Sequence, residues 1–210
     1  MATIDELRIP VGEGTVGGLR LRPPDARAMA LLAHGAGAGM RHAFMTAIAE
    51  ALAARRIATL RYQFPYAEAG RRRTDPPALC HATVRAALAA AGTDLPLYAG
   101  GKSFGGRMTS QAAAAAPLPG VRGIFFLGFP LHPAGKPGTE RADHLAGVTV
   151  PMLFLQGTRD ALAELALIRP VVAGLGARAE LHELPGADHS LARSIDALAD
   201  RVAAWALALQ

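Results

Sequence analysis

The sequence predicts an α/β protein, a single domain spanning residues 1–210 on a doubly wound, mainly parallel sheet of about eight strands with helices on both faces. Three observations carry this. AMALLAH is a continuous apolar run that reads as a strand covered on both sides, and IATLRY, VRGIFFLGF and PMLFLQG read as further short strands. Segments with helical spacing separate them, long enough to serve as the crossovers that parallel strands need. The first two strands alternate apolar with polar residues, as a wet-faced antiparallel hairpin does.

Taken in order, residues 4–10 and 15–21 form that hairpin around Gly12-Glu13-Gly14. Residues 28–34 are the first buried strand. A helix follows over 42–55, where Phe44, Ile48 and Leu52 recur every fourth position. The next strand is 57–62. The next helix starts after Asp75, with proline in its first turn. LPLYAGG is a strand, and an alanine-rich helix covers 104–116. Three more strands are expected in VRGIFFLGF, PMLFLQG and ARAELHEL, the last two followed by helices at 162–175 and 191–209. Residues 63–77 stand out as the sole long irregular stretch. Because they follow a strand end, they are expected to form a wall or lid of a ligand crevice, with Arg71, Arg72 and Arg73 outside the catalytic core.

With 51% hydrophobic and 19% charged residues, the chain is expected to fold compactly. The net charge of +5 invites a nucleic-acid reading. However, the basic residues are scattered arginines, Lys102 and Lys136 being the sole lysines, so no nucleic-acid partner is expected. No apolar run is long enough for a membrane helix, and MATIDELRIP lacks the apolar core of a secretory signal. With one cysteine, Cys80, no internal disulfide can form. A cytoplasmic location without membrane contact is the expectation.

GGKSFGG, residues 100–106, carries the chemistry. As a phosphate loop it fails, because the first glycine of G-x-x-x-x-G-K-[ST] falls on Pro96. Proline also lacks the N–H such a loop supplies. As G-x-S-x-G the stretch is complete, with a strand before it and a helix after it. Glycines let the chain turn sharply enough to hold Ser103 in a strained, exposed position. A serine needs a base and a group to orient that base. Asp160 follows PMLFLQG, and His189 follows ARAELHEL. Ser103, Asp160 and His189 therefore stand at three strand ends in the Ser, Asp, His order. The competing roles are helix caps at Asp160, Asp188 and Ser190, and a surface loop position for His189. His42, His81, His144 and His182 lack metal-ligand spacing, and no C-x-x-C occurs, so neither metal nor cofactor is expected. The small residues of HGAGAGM, 34–40, admit close backbone approach. Ala36 and Phe104 are the expected oxyanion donors, with Gly37 as the alternative to Ala36. Phe129, Leu131 and His132, past another strand end, are expected to line an acyl pocket.

LLAHGAGAG, RYQFPY, GGKSFGGRM, LGFPLHP, LFLQGTRD and LPGADHS together resemble the α/β-hydrolase superfamily, over about residues 7–209. Within it they look like the small, capless bacterial branch near the dienelactone-hydrolase-like proteins. That branch also holds a testis-expressed protein and a histone-acetylation-complex subunit. The resemblance implies an α/β-hydrolase fold without a cap domain, Ser103, Asp160 and His189 as a triad, and the His34-Gly35-Ala36 turn as the oxyanion loop. It implies a serine hydrolase acting on an ester or thioester of a small to medium acyl group. Dienelactone hydrolases use cysteine where this chain has Ser103, so dienelactone is not implied as substrate. Because some relatives are scaffold subunits, a non-catalytic interaction protein on the same fold is the alternative.

Overall fold

The computed structural model describes residues 2–92 and 94–210. Its elements are β1 (Thr3–Val11), β2 (Gly14–Arg22), β3 (Ala28–Ala33), α1 (Ala43–Ala53), β4 (Ile57–Tyr62), α2 (Pro65–Glu68), α3 (Pro77–Ala90), β5 (Leu97–Lys102), α4 (Phe104–Ala115), β6 (Val121–Leu127), β7 (Met152–Gly157), α5 (Leu165–Gly174), β8 (Ala179–Leu184) and α6 (Ile195–Ala208). A 3₁₀ helix at Glu140–Gly147 lies between β6 and β7.

The eight strands form one sheet in the order β1-β2-β4-β3-β5-β6-β7-β8. The β1–β2 hairpin joins β4 antiparallel, and every pairing from β4 to β8 is parallel. This is the expected α/β-hydrolase arrangement, with no separate cap domain among the described residues. Period-two alternation divides each central strand between two cores. Met29, Leu31 and Ala33 of β3 face one core with α3, α4 and α5. Ala28, Ala30 and Leu32 face the other, with α1 and α6. Burial on both faces explains why these strands read as continuous apolar runs.

From β3 the chain steps to β4 on one side, then crosses to β5 on the other. That reversal opens a crevice at the carboxyl ends of β3 and β5. The turn after β3 and Ser103 after β5 flank it.

Three expectations about segments need correction. Residues 63–77 are not the longest irregular stretch; the β6–β7 connection is longer, and its helix is 3₁₀. Residues 63–77 are themselves anchored by α2, with Phe64, Tyr66 and Asp75 buried. Asp75 Oδ2 accepts the Tyr66 N–H at 2.7 Å, and Oδ1 accepts from Arg71 at 2.7 Å. The last two helices start later than their apolar spacing suggests, at Leu165 and Ile195. Asp188 and Ser190 therefore do not cap α6; Asp188 Oδ1 instead accepts from the Ser190 N–H at 2.9 Å and hydroxyl at 2.6 Å.

Candidate active site

Ser103 sits between the end of β5 and the start of α4 with φ 50° and ψ −115°, a backbone region that costs an L-residue energy. Two glycines make the turn possible. A Cβ on Gly101 would overlap the Ala33 carbonyl oxygen, and one on Gly105 would lie 2.5 Å from the same atom. The Ser103 N–H is tied to Leu127 O at 3.2 Å, which fixes the turn against β6.

The three residues expected to act together do meet. Ser103 Oγ lies 2.8 Å from His189 Nε2, and His189 Nδ1 lies 2.7 Å from Asp160 Oδ2. The Asp160 side chain is fully buried, and the imidazole is 24% exposed. A buried carboxylate needs donors. Oδ2 also accepts from Gln156 Nε2 at 2.5 Å, and Oδ1 accepts the Leu162 N–H at 2.8 Å. The competing helix-cap role is not seen at Asp160: α5 begins at Leu165 after Glu164, and Asp160 Oδ1 instead closes a local turn on the Leu162 N–H. With Asp160 bound at Nδ1–H, His189 presents a bare Nε2 to the serine hydroxyl. Asp188 is exposed, bonded to Ser190, and held below the usual carboxylate range first by the Ser190 hydroxyl and then by its N–H.

Phe104 is the first residue of α4, so its N–H has no helical acceptor. Ala36, in the turn after β3, lines the cavity beside Ser103. Among the described residues neither N–H has a hydrogen-bond acceptor. This turn is propped from below. Tyr66 donates its hydroxyl to Ala36 O at 2.9 Å. His34, buried, has Nδ1 2.8 Å from Gly35 O, while Nε2 accepts the Phe64 N–H at 3.1 Å. Those bonds place its proton on Nδ1, and burial lowers its pKa, so it is a neutral brace. Residues 63–77 therefore support the turn after β3 from beneath; they do not form a wall over Ser103.

A cavity of about 410 Å³ opens beside Ser103, lined by Gly35, Ala36, Phe44, Met45, Leu162 and Ala192 among others. Larger clefts of about 730 and 720 Å³ lie nearby without reaching Ser103. Phe129, Leu131 and His132 are not brought to the Ser103 cavity. After β6 the chain turns inward at Gly128, whose φ is 75°. The Phe129 ring then packs on Phe126 at 5.2 Å and Phe154 at 5.8 Å, and Leu131 and His132 are buried. The cavity opens instead on the α1 side.

Sequence reading missed Gln156, Tyr66 and Lys102. Gln156 was legible as an amide within an apolar strand, a buried polar group that must have partners. Its Oε1 accepts the Phe129 N–H at 2.9 Å while its amide holds Asp160. Among the described residues no cluster of three His, Cys, Asp or Glu is placed to hold a metal, and no helix is long and apolar enough to cross a membrane.

Solved structures share this architecture. A dienelactone hydrolase from Anabaena variabilis is 23% identical, with 97% of this chain and 96% of that chain covered and a TM-score of 0.80. A lidless α/β serine hydrolase from Xanthomonas campestris is 21% identical, over 95% and 91% of the two chains, with a TM-score of 0.76. The esterase domain of a Rhodothermus marinus protein is 20% identical, over 97% and 98%, with a TM-score of 0.75. At these identities the likeness is one of fold. Residues 26–208 match the family described as the alpha/beta hydrolase domain, and the chain belongs to that family.

Proposed function

We propose that this protein is a serine hydrolase cleaving carboxylic esters or thioesters of small to medium acyl groups, through Ser103, His189 and Asp160 and an acyl-enzyme. The observation that carries the reading is the unbroken relay from Ser103 Oγ through His189 to buried Asp160, at 2.8 and 2.7 Å. Ser103 Oγ attacks the acyl carbon while His189 Nε2 takes its proton. Phe104 and Ala36 N–H groups receive the oxyanion, each worth about 3 kcal/mol of barrier. His189 then protonates the leaving alcohol or thiol. Water, deprotonated by the same nitrogen, attacks the acyl-Ser103 ester and releases the acid. Asp160 holds the ring and stabilises imidazolium. The 410 Å³ cavity, mainly apolar, would receive the acyl chain and sets its modest size.

The reading needs no cofactor, nucleic acid or membrane, and treats residues 1–210 as one cytoplasmic catalytic domain. A fluorophosphonate probe tests it. Ser103 should be labelled, and Ser103→Ala should lose both the label and ester hydrolysis, by about 10⁶ in kcat. Equal labelling of the two proteins by intact mass would place the reactive group elsewhere. p-Nitrophenyl esters of graded chain length would then give the acyl preference.

A further inference from the structure

Lys102 immediately precedes the serine, and nothing in the proposed chemistry uses it. It is the last residue of β5, and its side chain reaches over the end of β6 to the histidine loop. Nζ donates to the main-chain oxygen of His189 at 2.6 Å. A Cβ built on Gly128 would lie 3.4 Å from Nζ and 3.5 Å from His189 Nδ1, so both groups converge on that bare backbone. Nζ also stands 5.8 Å from the centre of the Phe44 ring at the start of α1. Carbonyl, glycine and aromatic ring thus enclose the ammonium, and its stem lines the Ser103 cavity.

We propose that Lys102 is a positioning residue: its ammonium ties the His189 loop to the nucleophile turn and so sets the Ser103–His189 distance. This rests on the serine-hydrolase reading above. The loop is tied to the turn after β7, through Arg159 N–H to Ala187 O at 2.9 Å and Gly186 N–H to Thr158 Oγ1 at 2.8 Å, and Lys102 ties its main chain to the nucleophile turn. Between β8 and α6 the loop carries no regular structure, and Leu191, two residues past His189, is held at φ 55°. Within the loop, Asp188 and Ser190 bond to each other and leave the His189 carbonyl to Lys102. A charged donor makes a bond roughly twice as strong as a neutral one. The fit also has a cost. Burial lowers the Lys102 pKa to about 8, against the pull of Asp160 and Asp188. His189 and, at the mouth of the same cavity, His42 are the other titratable groups facing it.

The test uses Lys102→Met, which keeps the stem and removes the charge, and Lys102→Arg, which keeps a cation at every accessible pH. Wild type, labelled at Ser103 by the fluorophosphonate, is the reference. Lys102→Met should cut kcat and the labelling rate about thirtyfold or more, with KM within about threefold and a melting temperature at pH 7 no lower than wild type, because a 1 Å misplacement alone can cost about 10²-fold. Lys102→Arg should recover at least a third of the logarithmic loss. Wild-type kcat should fall as pH rises through about 8, where the ammonium loses its proton and the bond its charge, and this limb should be missing from Lys102→Met. Should Lys102→Met keep kcat within threefold, or lose it only together with melting temperature while the alkaline limb persists, the positioning role is overturned. If wild type itself is not labelled at Ser103, the hydrolase reading fails first and takes this inference with it.

Discussion

Replacing Asp160 by Asn tests the relay most directly, because the structure dictates how the amide must sit. Asp160 now accepts three hydrogen bonds: Oδ2 from His189 Nδ1 and Gln156 Nε2, Oδ1 from the Leu162 N–H. Asn offers one acceptor oxygen and one donor NH₂. Leu162 N–H cannot move, so the oxygen stays there and the NH₂ meets both His189 and Gln156. Gln156 cannot rotate to accommodate it, since its own oxygen is held by the Phe129 N–H. His189 Nδ1 must then become the acceptor, which shifts its proton to Nε2, where it faces Ser103 and can accept nothing. The expected loss in kcat is about 10⁴, or about 5 kcal/mol of barrier. The donor–donor clash at Gln156 should cost about 1–3 kcal/mol of stability besides. Asp188→Asn is the control. It is exposed, bonds only within its own turn, and should leave kcat within threefold. Steady-state kinetics on p-nitrophenyl butyrate and melting curves on both variants decide the matter. An Asp160→Asn enzyme within tenfold of wild type, or an Asp188→Asn enzyme more than a hundredfold slower, would refute the assignment of the acid.

Three other substitutions probe what surrounds the relay. Tyr66→Phe removes the hydroxyl that holds Ala36 O at 2.9 Å, and kcat should fall about tenfold with little change in melting temperature, about 1.4 kcal/mol of barrier. Gln156→Leu leaves the buried Phe129 N–H without its acceptor and should lower stability by about 1–3 kcal/mol, seen as a fall of several degrees in melting temperature. Changing Arg71, Arg72 and Arg73 together to Gln removes the charged partner of buried Asp75 and should cost about 1–3 kcal/mol of stability. Turnover of a neutral short-chain ester by that triple variant should stay within threefold, and a hundredfold loss would show that residues 63–77 build the site.

Ser103, Asp160 and His189 were legible because each lies just past a strand that its own apolar run reveals. Parallel strands bring such ends to one edge whatever lies between them. The turn after β3 beside Ser103 was legible for the same reason, from its glycines. What failed depended on direction, which spacing does not encode. Phe129 follows a strand end as Ser103 does, yet the left-handed turn at Gly128 sends it into the α4-side core. Residues 162–164 and 191–194 continue the apolar spacing of the helices after them, yet they form turns, because Leu162 N–H is bonded to Asp160 and Ser190 is bonded back to Asp188. The β6–β7 connection did carry a signal, its prolines at 130, 133 and 137, which ruled out a regular helix there.

The buried and half-buried polar groups near Ser103 form a connected set, and this links fold to chemistry. From the Phe129 N–H, bonds run to Gln156, to Asp160, to His189 and to Ser103, while Lys102 returns from beside Ser103 to the His189 carbonyl. The circuit joins the ends of β5, β6 and β7 to the loop after β8. The buried members, Gln156 and Asp160, would be costly if left alone. Satisfied by one another, they can persist only in an arrangement that keeps every bond, which holds the serine and histidine at reacting distance before any substrate arrives. A single break should therefore lower activity more than stability when it falls on the His189 side of the circuit, at Lys102 or Asp160, and stability more than activity when it falls at Gln156, where the lost bond belongs to the backbone of the fold.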